Sequence, residues 1–214
     1  MYKKTFLAAF AFTALNFLFT WLAAQHWDLS NMDKLFIDGK IIPTHWQFPI
    51  AALAMNFIMW ASQFIDPHKE GLRKSKPVAV ISILGVSIML LIAQICIVFM
   101  DAEIISEGLG KGLILTTGYI VLLGISNYFS TARKSYLTGL PTPWTMTSDL
   151  SWAKTHRFLG RSLMLVTLTG FVTSFAISIN VGGKIVTFGV LAALIVATIY
   201  SYIVWKGDPA RAKS

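Results

Sequence analysis

The sequence predicts an all-α polytopic membrane protein: six transmembrane helices, both termini on the cytoplasmic side, and a short amphipathic helix in the loop between helices four and five. Three observations carry this reading. Hydrophobic residues make up 55% of the 214 and charged residues only 13%, against roughly 25% charged in a soluble domain. The apolar residues fall in six unbroken blocks of membrane-spanning length, 6–24, 48–64, 78–100, 112–129, 158–179 and 185–205, and none contains Asp, Glu or Lys. Fourteen of the eighteen Lys and Arg residues lie on alternate connections that include both termini, which places those connections inside. Helices follow because a helix satisfies its own backbone groups in lipid.

The first block, Phe6–Ala24, follows Lys3 and Lys4 and ends in Leu22-Ala23-Ala24, as in a secretory leader. Its apolar run exceeds a leader's usual core of about 7–15 residues, so it is read as a retained span. Blocks two and three join through the basic segment 65–77, ended by Pro77, and blocks three and four through the acidic segment 101–111. Only residues 180–184 separate blocks five and six, which predicts a tight antiparallel hairpin. The whole of 1–214 is expected to form one six-helix membrane domain. The net charge of +8 is then explained by topology and anionic lipid, not by nucleic acid.

Ionisable groups at mid-membrane depth mark most pumps and membrane enzymes. Here the blocks hold the uncharged Asn16, Asn56, Gln63, Gln94 and Asn127, with Arg161 near one end of block five. Asn16 and Asn56 sit at the midpoints of neighbouring spans and are expected to hydrogen-bond across them. His26, His45, His68 and His156 all fall near interfaces, at spacings that close no first shell, so neither metal nor haem nor any other cofactor is expected. The single cysteine, Cys96, reads as a packing residue. No catalytic motif is present, and the chain reads as non-enzymatic.

The loop between blocks four and five is the richest in specific features. Pro141 and Pro143 flank Thr142 and stiffen the approach to Trp144. Thr147 or Ser148 can then cap a helix with Asp149 in its first turn. From there Trp152, His156, Leu159 and Leu163 fall on one helical face, and Lys154, Arg157 and Arg161 on another. Asn127 and Tyr128, at the end of block four, are expected to bond back to this elbow and fix its angle. The plain structural reading is an interfacial elbow, with Trp among headgroups and cations on phosphates. The functional reading is a docking surface, or a groove closed by this elbow.

At these residues the chain resembles the SdpI-type immunity protein family of bacterial membranes. Asn127-Tyr128, Gly139-Leu140, Thr142-Pro143-Trp144-Thr145 and Trp152-Ala153-Lys154-Thr155-His156-Arg157 match its pattern in order. Ile42-Pro43-Thr44-His45-Trp46 resembles an N-terminal motif of the family. Ser126 and Pro141 depart from it, standing where the family carries Gly and Arg. The resemblance implies a multi-pass protein of the bacterial cytoplasmic (inner) membrane. It also implies protection against a secreted antimicrobial peptide toxin outside and recruitment of a transcriptional repressor inside. The functional residues would be Asn127, Tyr128, Pro141, Pro143, Trp144, Trp152, Lys154, Thr155, His156, Arg157 and Arg161 within, with Pro43, His45 and Trp46 on the outer face. Two other readings stand beside it: a small transporter or channel lined by Asn16, Asn56 and Gln94, and an accessory subunit of a larger membrane complex.

Overall fold

The computed structural model describes residues 2–29, 44–136 and 138–210. It contains α1 (Lys3–His26), α2 (Thr44–Ile65), α3 (Lys69–Lys74), α4 (Lys76–Asp101), α5 (Glu107–Phe129), α6 (Pro143–Thr147), α7 (Asp149–Ala176) and α8 (Ile179–Lys206), with no strand among the described residues. Six of these helices are long and apolar enough to cross a membrane. The spans run past their apolar blocks because flanking polar residues propagate a helix once it is nucleated. α7 begins nine residues before its block and absorbs the predicted amphipathic segment. The hairpin between α7 and α8 is tighter than predicted, with Ile177 and Ser178 alone between them. The chain divides into two compact units, one comprising 62–82 and 119–214, the other 2–61 and 83–118.

In the 2–61/83–118 unit, α1 buries Phe6, Ala9, Thr13, Asn16, Thr20 and Ala23. That alternating three-and-four spacing defines one helical face. The predicted Asn16–Asn56 pairing is not the one formed. The Asn56 amide donates to Thr13 Oγ1 and Ser87 Oγ, each at 3.0 Å. Thr13 and Ser87 send their own hydroxyl protons to the carbonyls of Ala9 and Ile83, which leaves their lone pairs free to accept. Asn16 is buried, yet neither atom of its amide has a partner among the described residues.

A second polar layer arises from Pro49, which lies inside α2. Proline has no N–H, so the helical bond from position 49 to the carbonyl of His45 cannot form. Gln94 Nε2 donates to that carbonyl at 3.0 Å and to Thr20 Oγ1 at 3.0 Å. A fully buried glutamine on α4 thereby satisfies a carbonyl that a proline on α2 left open.

These layers predict an order of stabilities. Asn56→Leu removes two interhelical bonds worth about 1 kcal/mol each in a membrane protein. Asn16→Leu removes none and is expected to cost less. Unfolding of both variants in mixed detergent checks the order, and equal losses would contradict it.

In the 62–82/119–214 unit, α7 and α8 pack along their lengths. Leu159 and Leu163 of α7 bury against Ala193 and Ala197 of α8. A Cβ added to Gly189 would stand 2.6 Å from Val166 Cγ1, so a small residue sets this approach. Tyr119 and Ser174 join their hydroxyls at 2.6 Å. The faces turned away are strongly apolar: Leu165, Phe175, Phe188, Ile195 and Ile203 are all exposed. Such faces suit lipid as their surroundings.

Candidate functional site

The elbow preceding α7 is built from short-range caps. Thr142 and Thr145 form a reciprocal capping box that starts α6, with Pro143 in its first turn. Both partners of such a box satisfy backbone donors that a helix start leaves open. Thr145 Oγ1 also donates to the Leu140 carbonyl at 2.9 Å. Ser148 caps α7, its Oγ accepting from Ser151 N–H at 2.9 Å. The Ser148 hydroxyl in turn donates to Asp208, just beyond α8. That bond and the Ala210 N–H hold the Asp208 carboxyl below its usual range. One turn on, Ser151 Oγ donates to the Ser201 carbonyl at 2.8 Å. The start of α7 is thus fixed to the end of α8.

His156 holds the elbow down. Its ring stacks between Trp152, at a centroid distance of 4.0 Å, and Phe129, at 5.3 Å. Nε2 accepts the Leu140 N–H at 2.9 Å, so that nitrogen carries no proton. Nδ1 lies 2.8 Å from the Trp152 carbonyl and must be the donor, which fixes a neutral tautomer. The Trp152 indole donates to the Ala132 carbonyl at 2.7 Å. Gly139, at φ +130°, passes directly over this stack: a Cβ there would be 2.4 Å from His156 Nε2 and 3.0 Å from two Trp152 ring carbons. His156→Phe keeps the stacking and removes the acceptor. It is expected to cost about 2 kcal/mol, the penalty for a buried N–H left unpaired. Thermal unfolding in detergent measures this, and an unchanged midpoint would contradict it.

A second clamp joins this elbow to the α2–α4 connection. Asp66 is buried, its Oδ1 accepting from His68 N–H at 2.8 Å and its Oδ2 from Ser135 Oγ at 2.7 Å and Tyr136 N–H at 3.0 Å. Ser75 Oγ accepts from Arg133 N–H at 2.8 Å and donates to the Gly71 carbonyl at 2.9 Å. At Gly71 the two segments touch so closely that a Cβ would lie 1.8 Å from the Lys134 carbonyl oxygen. Residues 66–75 and 132–136 therefore form one platform.

The platform carries an open groove of about 800 Å³, lined by Pro67, His68, Lys69, Glu70, Gly71, Lys74, Arg133, Lys134 and Asp149. Lys74 pairs with Glu70 at 2.7 Å and Lys134 with Asp149 at 2.9 Å. The Lys74 ammonium holds the Glu70 carboxyl below its usual range. Lys69 and Arg133 enter no ion pair among the described residues. The groove is rigid in its backbone and presents net positive charge.

Residues 131–204, from the elbow to late α8, match the model of the SdpI/YfhL protein family. Over 102 residues the chain is 31% identical to "Immunity protein SdpI" of Bacillus subtilis (strain 168), covering 46% of this chain and 44% of that relative. Both matches make part of this chain, the elbow to late α8 above all, similar to SdpI-type proteins. It spans less than half the length of that curated relative. No solved structure matches. The six helices long and apolar enough to span, together with this similarity, point to a multi-pass membrane protein.

The predicted site residues separate into two groups. Trp152, Thr155 and His156 are buried. They form the internal pin of the elbow. Lys154, Arg157, Arg161, Pro141 and Pro143 are exposed. Trp144 is half-buried against Tyr202, with ring centroids 5.2 Å apart. Asn127 and Tyr128 are exposed, and among the described residues neither side chain bonds to the elbow. Backbone groups of Ala132 and Leu140 make the predicted ties in their place. His45 and Trp46 sit in the first turn of α2, where Trp46 meets Phe17 at 5.9 Å. Pro43 lies outside the described residues.

Sequence reasoning did not single out Asp66, Ser75 or Ser135. The Asp66-Pro67 dipeptide is a turn signal, and Asp66 is the one acidic residue between block two and the basic run. That isolation was the available clue.

Proposed function

We propose that this chain is a non-enzymatic SdpI-type protein of the bacterial cytoplasmic membrane, with both termini inside, that protects against a secreted peptide toxin and holds a cytoplasmic repressor at the membrane. The observation that carries the inner half of this reading is the clamped platform of residues 66–75 and 132–136. It is rigid, basic and concave, as a surface for a protein partner should be. By the distribution of Lys and Arg it faces the cytoplasm. The similarity to an immunity protein supports the outer half.

The platform is expected to contact its partner directly. A photo-crosslinker at Lys69 or Arg133 in native membranes should capture one cytoplasmic protein, and deletion of the gene should leave cells sensitive to peptide made by their siblings. Absence of both effects overturns the reading. One observation favours transport instead: the Asn16 amide is buried in the 2–61/83–118 unit without a partner among the described residues. Solute uptake or conductance in proteoliposomes, lost in Asn16→Leu, would establish that alternative.

A further inference from the structure

A second groove, apart from the platform, lies between the C-terminal end of α5 and the first half of α7. Its volume is about 170 Å³, and it is lined by Ser126, Asn127, Ser130, Arg157, Gly160 and Arg161. A Cβ added to Gly160 would lie 3.0 Å from the Ser126 carbonyl, so the two helices meet closely at its floor. Arg157 and Arg161 are four residues apart and project from the same side of α7. Arg157 Nε donates to the Ala153 carbonyl at 3.1 Å, which leaves its two terminal nitrogens available. Neither guanidinium has an ion pair among the described residues.

The depth of these cations is informative. Fifteen residues separate Arg161 from the end of α7 at Ala176. Arg157 stands just before the apolar block 158–179, and Arg161 about one helical turn inside it. An unpaired charge at such a depth reaches toward the interface and takes an anion there. Below Arg161, at helical spacing on the same stripe, Leu165, Leu168, Val172 and Phe175 are all exposed. A pocket lined by two arginines, one amide, two serines and Met164 thus caps an apolar track.

We propose that this groove binds the phosphate of an anionic phospholipid. The two guanidiniums hold phosphate oxygens in forked bonds, the Asn127 amide and Ser130 hydroxyl serve the phosphate or glycerol oxygens, and an acyl chain lies along the Leu165–Phe175 stripe. The phosphate chemistry alone would also admit a soluble phosphate. The apolar track selects the lipid. This site is independent of the platform and of any immunity role.

The test uses the purified full chain in neutral detergent, titrated with phosphatidylglycerol or with phosphatidylcholine of the same chain length and followed by native mass spectrometry. Phosphatidylglycerol is expected to be retained preferentially. The Arg157→Gln/Arg161→Gln variant should lose that binding tenfold or more, and Lys184→Gln, in the first turns of α8, should change it less than twofold. Arg161→Lys should lose part of it, since an ammonium cannot fork. Equal retention of the two lipids, or unchanged binding in the double variant, overturns the proposal. Displacement of the lipid by millimolar inorganic phosphate would assign the groove to soluble phosphate and overturn it equally.

Discussion

Gly139→Ala is expected to be among the most damaging single-methyl changes in this chain, costing about 4 kcal/mol from two separate causes. Position 139 sits at φ +130°, where any residue with a Cβ is strained by roughly 1–3 kcal/mol. The added carbon would also stand 2.4 Å from His156 Nε2, and the ring cannot retreat, because Phe129 and Trp152 stack on both its faces. Overpacking of that kind costs a further 1–3 kcal/mol or so. Moving the loop instead would break the Leu140 N–H bond to His156 and the Thr145 bond to the Leu140 carbonyl. Unfolding of the purified variant in detergent measures the loss. The double variant Gly139→Ala/His156→Ala should cost less than the sum of the two single changes, since the clash disappears with the ring while the backbone strain stays. Additive losses would mean that the contact with His156 is not the reason glycine stands there.

The contrast between what the sequence disclosed and what it concealed follows from the range of each interaction. Six spans, the Ser148 cap and the division of α7 into a buried stripe and a cationic face were all readable, because each depends on residues within a few positions of one another. The Trp152, His156, Leu159 and Leu163 stripe is buried, as its spacing required. Periodicity says that such a face is covered and does not say by what. Over Trp152 and His156 the cover is the chain's own elbow, and over Leu159 and Leu163 it is α8. Asn16 and Asn56 show the same limit. Both were correctly placed in the interior, but Asn56 met Thr13 and Ser87, and depth along a helix could not distinguish Thr13 from Asn16 one turn away. Gln94 and Pro49 are coupled through the carbonyl of His45, and no local pattern in the sequence joins the three. The platform was the least legible part, since Asp66 and Ser135 stand 69 positions apart.

Asp66→Asn is the sharpest test of that platform and is expected to cost about 3 kcal/mol. The Asp66 carboxylate accepts hydrogen bonds from at least three donors: two backbone N–H groups and the Ser135 hydroxyl. Bonds of this type to an ionised acceptor contribute about 1.5–3 kcal/mol each. Asparagine has almost the same shape but only one acceptor oxygen. If that oxygen serves His68, the new amide nitrogen points its protons at the Ser135 hydroxyl and the Tyr136 N–H. The hydroxyl can rotate to accept, whereas the N–H cannot. If the amide flips, the same conflict falls on His68 N–H. Ser135→Ala makes the useful comparison, because it removes one donor and leaves the carboxylate both of its N–H partners. It should cost about 1 kcal/mol. Once the clamp is released, residues 66–75 should become open to limited proteolysis at Lys69 and Arg73. Crosslinking from Lys69 to a cytoplasmic partner should fall in parallel, while the membrane spans, which do not depend on this clamp, should still insert. If Asp66→Asn unfolds within about 0.5 kcal/mol of the parent chain, the range of an ordinary surface change, and its loops resist protease as before, then the carboxylate does not hold the platform together.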